Sequence, residues 1–448
     1  MELSFLLDSK KMKGFGFVIL QLGLNFITTF IFNRQLAQLF GISPDKDVFD
    51  IAFSTPYLIS ELVGLGFLHI IVTTTVRKAS LESKSINHIV SGVLNLYLLV
   101  GGLLTLVLSF FSSEVISLVA PGFVEIHHQA ATDLFQISVF TIFFTGISTV
   151  FSATLTALGL PISRELGLAG MRVFSIAYIF LNPGAESSGI LIYFLIGLVA
   201  VTSVQFLYLK NKFNFQYIFK TSLISMENRS ALVGSGYFVV AAITSSLFSF
   251  NINRLASFLD PGTIATISYS SALIFPLSIL IGKPVGLVLG PHLILNAKAS
   301  HEDRRFYIRR VLLLVFAVFG ISSVLSLFIF AATPFIAQLF YGGGNFDQLA
   351  HEHVARTVRY LLPALPFASL LWVLVFPLQS IKNGVFAAGM YIFGNLVGLG
   401  AIHFMIGEVS LTQLLFAQIL VSVTQALVGL VFFVISFSFP LFRGKVVT

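Results

Sequence analysis

The sequence contains no cysteine in 448 residues, which excludes disulfide frameworks, thiolate metal sites, haem attachment and cysteine nucleophiles. Charge is scarce as well. Asp, Glu, Lys and Arg make up 10% of the chain, against roughly 25% in an ordinary soluble domain, and that shortage argues against a water-soluble fold. A phosphate-binding loop is also missing, because Gly342-Gly343-Gly344 is not followed by Lys and Ser or Thr and reads as a flexible turn. The histidine pairs His127-His128 and His351-x-His353 lack the i, i+4 spacing of a helical zinc pair, so no metal site and no cofactor is expected.

What the chain has is apolar length. Hydrophobic residues are 56% of the total, which matches the roughly 240 apolar positions that twelve spans of about 20 residues require. Runs long enough to cross a bilayer fall at residues 14–32, 50–76, 89–111, 134–158, 166–181, 189–209, 231–250, 263–290, 311–332, 358–379, 384–405 and 411–438. The spacing therefore predicts an all-α integral membrane protein of about twelve transmembrane helices. Met1 to Lys13 mixes Asp8 with Lys10, Lys11 and Lys13 and has no small-residue cleavage site, so it reads as a tail before the first span.

Basic residues orient the spans. Of 26 Lys and Arg, nineteen fall on the side of the termini, five (Arg34, Lys46, Arg254, Arg356 and Arg359) on the opposite side, and Arg172 and Lys283 within spans. Both termini are thus expected in the cytoplasm. The net charge of +7 is accounted for by this inside bias and does not call for a nucleic-acid partner.

The chain also repeats itself. Asn33-Arg34-Gln35-Leu36-Ala37 has its counterpart in Asn253-Arg254-Leu255-Ala256 at an offset of 220. Pro56 pairs with Pro276, Ile116–Phe123 (ISLVAPGF) with Ile336–Phe346 (IAQLFYGGGNF), and His127-His128 with His351 and His353, in the same order. Six helices separate the copies, so the halves are expected to be parallel six-helix repeats, a transporter architecture. The expected organisation is a lobe over 1–209, a basic cytoplasmic linker over 210–230, and a second lobe over 231–448.

The segment Asn33–Lys78, through Phe40-Gly41, Asp47-Val48-Phe49, Ala52-Phe53, Pro56 and Gly66, resembles the first helices of the lipid II flippase (MurJ) family. Ala120-Pro121-Gly122-Phe123, Pro261-Gly262-Thr263, Ser268-Tyr269, Pro276-Leu277 and Leu339-Phe340 to Phe346-Asp347 extend the likeness over both halves. That family belongs to the multidrug/oligosaccharidyl-lipid/polysaccharide (MOP) exporter superfamily. The resemblance implies a transporter and not an enzyme, one that flips a polyprenyl-(pyro)phosphate-linked saccharide across the bacterial inner membrane by alternating access. Its implied partners are the lipid-linked saccharide, membrane lipids, envelope biosynthesis proteins and a coupling ion. Two departures stand out. Family members usually carry fourteen helices, and the arginines thought to hold the lipid pyrophosphate are replaced, with Ser60 and Ala272 at two of the positions.

Ionisable groups inside spans are functional candidates, since an unpaired charge at mid-bilayer costs at least about 2.5–3.5 kcal/mol. Glu61 lies five residues after Pro56 and Lys283 seven after Pro276. They are expected at related depths and paired or sharing a cavity, with Lys283 as the anion-binding residue; a purely structural ion pair is the ordinary alternative. Arg34 and Arg254, at the ends of helices 1 and 7, are candidates for phosphate contact or for interfacial snorkelling. Asp47 is a candidate substrate ligand or a helix cap. Prolines 276, 284, 291, 363, 366 and 377 are expected to break helices 8 and 10. A multidrug exporter of the same superfamily and a transport-inactive paralogue within an envelope complex are the competing functions. A membrane glycosyltransferase fits less well, because the outer segments are short and their acids scattered.

Overall fold

The protein is described by a computed structural model covering residues 9–63, 76, 86–158, 160, 163–219, 229–296, 301–379, 384–404 and 409–438. Among these residues there is no strand, only an isolated bridge between Gly343 and Phe346. The helices of the first half are α1 (Ser9–Phe40), α2 (Pro44–Val63), α3 (Ile86–Phe110), α4 (Ser112–Val119), α5 (Glu125–Ser138), α6 (Phe140–Ala157), α7 (Ser163–Leu181) and α8 (Ser187–Phe213). Those of the second half are α9 (Arg229–Ala256), α10 (Thr263–Asn296), α11 (His301–Tyr341), α12 (Gln348–Leu361), α13 (Ala364–Gln379), α14 (Val385–Phe404) and α15 (Leu411–Ser438).

The duplication is visible in these bounds. α9 starts 220 residues after α1 (Arg229 against Ser9), α10 starts 219 after α2 (Thr263 against Pro44), and α15 starts 224 after α8 (Leu411 against Ser187). Among the described residues every predicted span coincides with a helix or a helix pair, the span 50–76 through α2 as far as Val63. Among the described residues, eight helical segments are long and apolar enough to cross a membrane, and α12 with α13, bent by 54°, makes a ninth. The other three predicted spans are α1, α2 and α7, whose apolar stretch Leu166–Leu181 is shorter.

Two expectations are corrected. α10 runs unbroken through Pro276, Pro284 and Pro291, because neighbouring helices and local adjustments re-satisfy the freed carbonyls in a membrane helix. The break expected in the tenth span is present, at Leu362-Pro363 between α12 and α13. Arg34 does not end its helix. α1 continues to Phe40 and stops at Gly41, whose φ of +60° only glycine adopts readily.

The chain divides into two compact units. One comprises Ile27–Ser268 and Tyr341–Ala350. Its core sets Val90, Val93, Leu94 and Tyr97 of α3 against Val150, Phe151 and Leu155 of α6, with Leu209 and Phe215 closing one end. The Asn214 turn at φ 51° leads to Tyr217, Ile218 and Phe219, which bond Asn95 and Ser91 of α3. The other unit comprises Met1–Phe26, Tyr269–Phe340 and His351–Thr448. There α14 and α15 pack closely, Gly394 lying against Gln425 and Gly429 against Met390 and Leu374. In both units apolar side chains point outward, Leu99 of α3 and Leu327 of α11 each being 71% exposed, which suits a lipid-facing surface and not a watery one.

Candidate functional site

At the predicted outer end, in the unit holding Ile27–Ser268, the repeated motifs meet each other. α1 leaves its last carbonyls without helical partners. They are taken by the glycine loop of the second half: Asn345 N–H donates to Gln38 O at 2.9 Å and Asn345 Nδ2 to Leu39 O at 2.6 Å, while Gln38 Nε2 donates to Gly342 O at 3.1 Å. Gly344 at φ +59° passes so near Gln38 that a Cβ there would lie 2.3 Å from its carbonyl oxygen. The reciprocal contact joins the first half's loop to α9. Gly122 N–H donates to Ser257 Oγ at 3.0 Å, and a Cβ on Gly122 would lie 2.2 Å from Ser257 O. Each repeat thus seats the loop after its third span on the end of the other repeat's first helix.

The third contact is a carboxylate cap. Asp47 in the first turn of α2 is 4% exposed. Its Oδ2 accepts from Gly262 N–H at 2.6 Å and its Oδ1 from Ala265 N–H at 2.7 Å. A carboxylate at a helix N-terminus satisfies orphan amides and opposes the positive end of the dipole. Asp47 is therefore a cap, as one reading of the sequence had it, but of α10 and not of its own helix. Burial pushes its carboxyl up to about 7; the Ala265 and Gly262 amides pull down, Asp50 pushes up and Lys46 pulls down. Beside it, Lys46 is fully buried and paired through Nζ with Asp50 Oδ1, and lies 5.8 Å from the Phe49 ring centre. Lys46 and Asp50 were missed as candidates, although their i, i+4 spacing was a signal.

The second group lies within the other unit. Gly282 and Gly286 of α10 face the backbone of α13, where a Cβ would sit 2.2 Å from Ser369 O and 2.3 Å from Trp372 O respectively. This G-x-x-x-G spacing brings two helices into near backbone contact. Lys283 lies beside that seam, half-buried, with Nζ 5.5 Å from the ring centre of Trp372, the sole tryptophan. A half-desolvated ammonium over an indole face is a fixed positive charge able to attract an anion.

Other candidates are placed as follows. Glu61 belongs to α2, but its side chain lies outside the described residues, as does all of His69, so the Glu61–Lys283 pairing is not described. Arg34 is half-buried within α1, and Arg254 is exposed in the last turn of α9. Ser60 is buried and its hydroxyl donates to Tyr57 O at 2.8 Å. Arg172 donates to Leu168 O of its own helix at 3.3 Å, and His128 Nε2 lies 2.8 Å from Ser117 Oγ.

The family model of lipid II flippase MurJ matches residues 36–447, which include the loop and cap contacts just described. The chain belongs to the MurJ lipid II flippase family. Relatives in that family include the probable lipid II flippase MurJ of Buchnera aphidicola subsp. Baizongia pistaciae (strain Bp), 25% identical over 381 residues that cover 80% of this chain and 70% of the relative. The counterpart from Buchnera aphidicola subsp. Acyrthosiphon pisum (strain APS) is 25% identical over 374 residues, covering 80% and 71%. Among solved structures, a lipid II flippase MurJ in an inward closed conformation superposes with a TM-score of 0.74 at 18% identity, covering 93% of this chain and 86% of that one. An inward-facing MATE-family multidrug transporter of the MOP superfamily gives 0.73 at 16% identity, with 92% and 94% covered. The MurJ-family fold, all-α with two parallel six-helix repeats, thus accounts for the helix order, and the protein is a multi-pass protein of the bacterial inner membrane.

Proposed function

We propose that this MurJ-family protein flips a polyprenyl-(pyro)phosphate-linked saccharide of the lipid II type from the cytoplasmic to the outer leaflet by alternating access of two lobes, 1–209 and 231–448, joined by the linker 210–230. The observation that carries the reading is the family match along 36–447. Both termini are assigned to the cytoplasm from the Lys and Arg distribution. In this scheme the reciprocal loop contacts and the Asp47 cap of α10 hold the outer end shut, and they part when the substrate headgroup leaves.

Two family arginine positions are Ser60 and Ala272 here, so the phosphate needs another cation. Lys283, seated beside the glycine seam and over Trp372, is assigned that role, with Glu61 as its predicted counter-charge. Arg34 and Arg254 are assigned to phosphate contact nearer the outer surface, and Asp47 meets the substrate only after releasing α10. The absence of a nucleotide-binding motif leaves an ion or the membrane potential to supply the work, and envelope biosynthesis proteins are the expected partners.

The test is reconstitution into vesicles with fluorescent lipid II and native mass spectrometry of the purified protein. Flipping, and a co-purified lipid-linked saccharide, are expected; Lys283→Ala is expected to lower flipping at least tenfold while Lys283→Arg retains most of it. Efflux of a soluble cation without lipid flipping would replace this reading with that of a multidrug exporter, and equal flipping by Lys283→Ala would remove Lys283 from the site.

A further inference from the structure

The α2 cluster holds more charge than a clasp requires. Asp47 alone caps α10, yet Lys46 and Asp50 are also removed from solvent, Lys46 fully and Asp50 to 8% exposure. With both acids ionised and the lysine charged, the cluster carries a net charge of about −1 in a poorly solvated site, a costly state unless something neutralises it. One atom marks where neutralisation falls short. Asp50 Oδ1 is engaged by Lys46 and the Ser268 hydroxyl lies against the same carboxyl, but Asp50 Oδ2 is buried and makes no hydrogen bond of its own among the described residues. A buried carboxylate oxygen with no donor is an anomaly in a native structure, and a proton placed on it removes the excess charge.

We propose that this cluster is a proton-binding site, with Asp50 Oδ2 the receiving atom, and that its occupancy controls the grip of Asp47 on α10. The step is a simple protonation from water, with no other bond made or broken. Once Asp50 is neutral, the Lys46 ammonium loses that counter-charge. Its neighbours along the helix are Asp45, which is exposed, and the buried Asp47, whose two oxygens are bound to the Gly262 and Ala265 amides. An ammonium drawn to Asp47 competes with those amides, so proton uptake loosens the clasp and proton release tightens it.

Of the elements packed on α2, α6 and the first turns of α10 (263–268) carry no ionisable side chain, and α1 brings the half-buried Arg34. Glu114 of α4, Glu125 and Asp133 of α5 and Arg254 of α9 are exposed, and His127 and His128 of α5 are half-exposed.

Hydrogen exchange tests the proposal without any substrate, so its outcome does not depend on what the protein transports. Protection factors for the segment 262–268, corrected for intrinsic exchange, are measured on the full-length protein in nanodiscs from pH 8.5 to 5.5. A fall of at least tenfold towards low pH is expected there, with α14 and α15 unchanged. Asp50→Asn is expected to show low protection at every pH. Should that variant fail to fold, the paired Lys46→Met/Asp50→Leu variant, which removes both charges and keeps apolar volume, is expected to be flat with pH and well protected. Flat wild-type protection overturns the proposal, and so does a wild-type pH step that survives in either variant.

Discussion

α2 and α10 are the same helix twice over, yet they use charge in opposite ways. α2 carries Asp45, Lys46, Asp47 and Asp50 within its first seven residues, and the buried ones are spent on a clasp at the helix end. α10 has no charged side chain until Lys283, twenty residues after Thr263, and that charge stands mid-helix beside an aromatic ring. Duplication supplied two equivalent N-termini, and divergence made one the giver and the other the receiver of a carboxylate. A symmetric pair of acids would have set two negative groups near each other at low dielectric. One acid against one set of bare amides joins the ends at far lower cost.

The largest effect is expected from breaking the charge balance on the α2 side. Lys46→Met leaves Asp50 buried without its partner and is expected to cost about 3–5 kcal/mol, read as a lowered Tm in detergent, while adding Asp50→Leu recovers most of it. If the single variant is as stable as wild type, the pair contributes nothing and the contrast between α2 and α10 loses its energetic basis. Next comes Asp47→Ala. It strands the Gly262 and Ala265 N–H groups, each costing about 1–3 kcal/mol if it stays buried and unpaired. Faster exchange of 262–268 than of 409–438 is the expected result, and uniform exchange would show that the cap does not hold α10.

Much of the frame was legible because it rests on periodicity alone. The described parts of the twelve apolar runs are helical, and the offset near 220 reappears in the starts of α9 and α10. The site was less legible, for a physical reason in each case. Asp47 looked like an ordinary cap because nothing in a local window shows that its oxygens reach residues 262 and 265. Lys46 counts in the sequence only as an outer basic residue and Asp50 only as the start of the second span, since burial is a property of neighbours and not of spacing. The prolines of α10 misled because their effect in water, a break, is offset among packed helices by close contacts such as those at Gly282 and Gly286. Lys283 was found because an isolated charge in a long apolar run is conspicuous without any partner in view.

The reciprocal loops allow a finer test of whether the two repeats clasp equally. Gly122→Ala places a methyl group against the Ser257 backbone, and overpacking of this kind costs about 1–3 kcal/mol. Gly344→Ala adds the strain of φ +59° to a similar clash with Gln38, so it is expected to be the more damaging of the two. Gly320→Ala, where a Cβ meets nothing within 4 Å, is the matched control in an exposed helix and should leave the Tm unchanged or slightly raised. Equal Tm losses at positions 122 and 344 would mean that backbone conformation adds nothing to contact at the glycine loop.

The smallest effect is expected at the α10 charge itself, and it separates two ways a ring can hold an ammonium. Trp372→Phe keeps an aromatic face with a weaker quadrupole, so the Lys283 contact should lose about 0.5–1 kcal/mol. That corresponds to a two- to fivefold weaker apparent affinity in the flipping assay with little change in maximal rate, since the ammonium remains in the seam. A fall in maximal rate at unchanged affinity would instead assign Trp372 to the movement of α13 against α10. In that event Lys283 and Lys46 would resemble each other more than their positions suggest, both being charges that fix helices and not charges that meet a substrate.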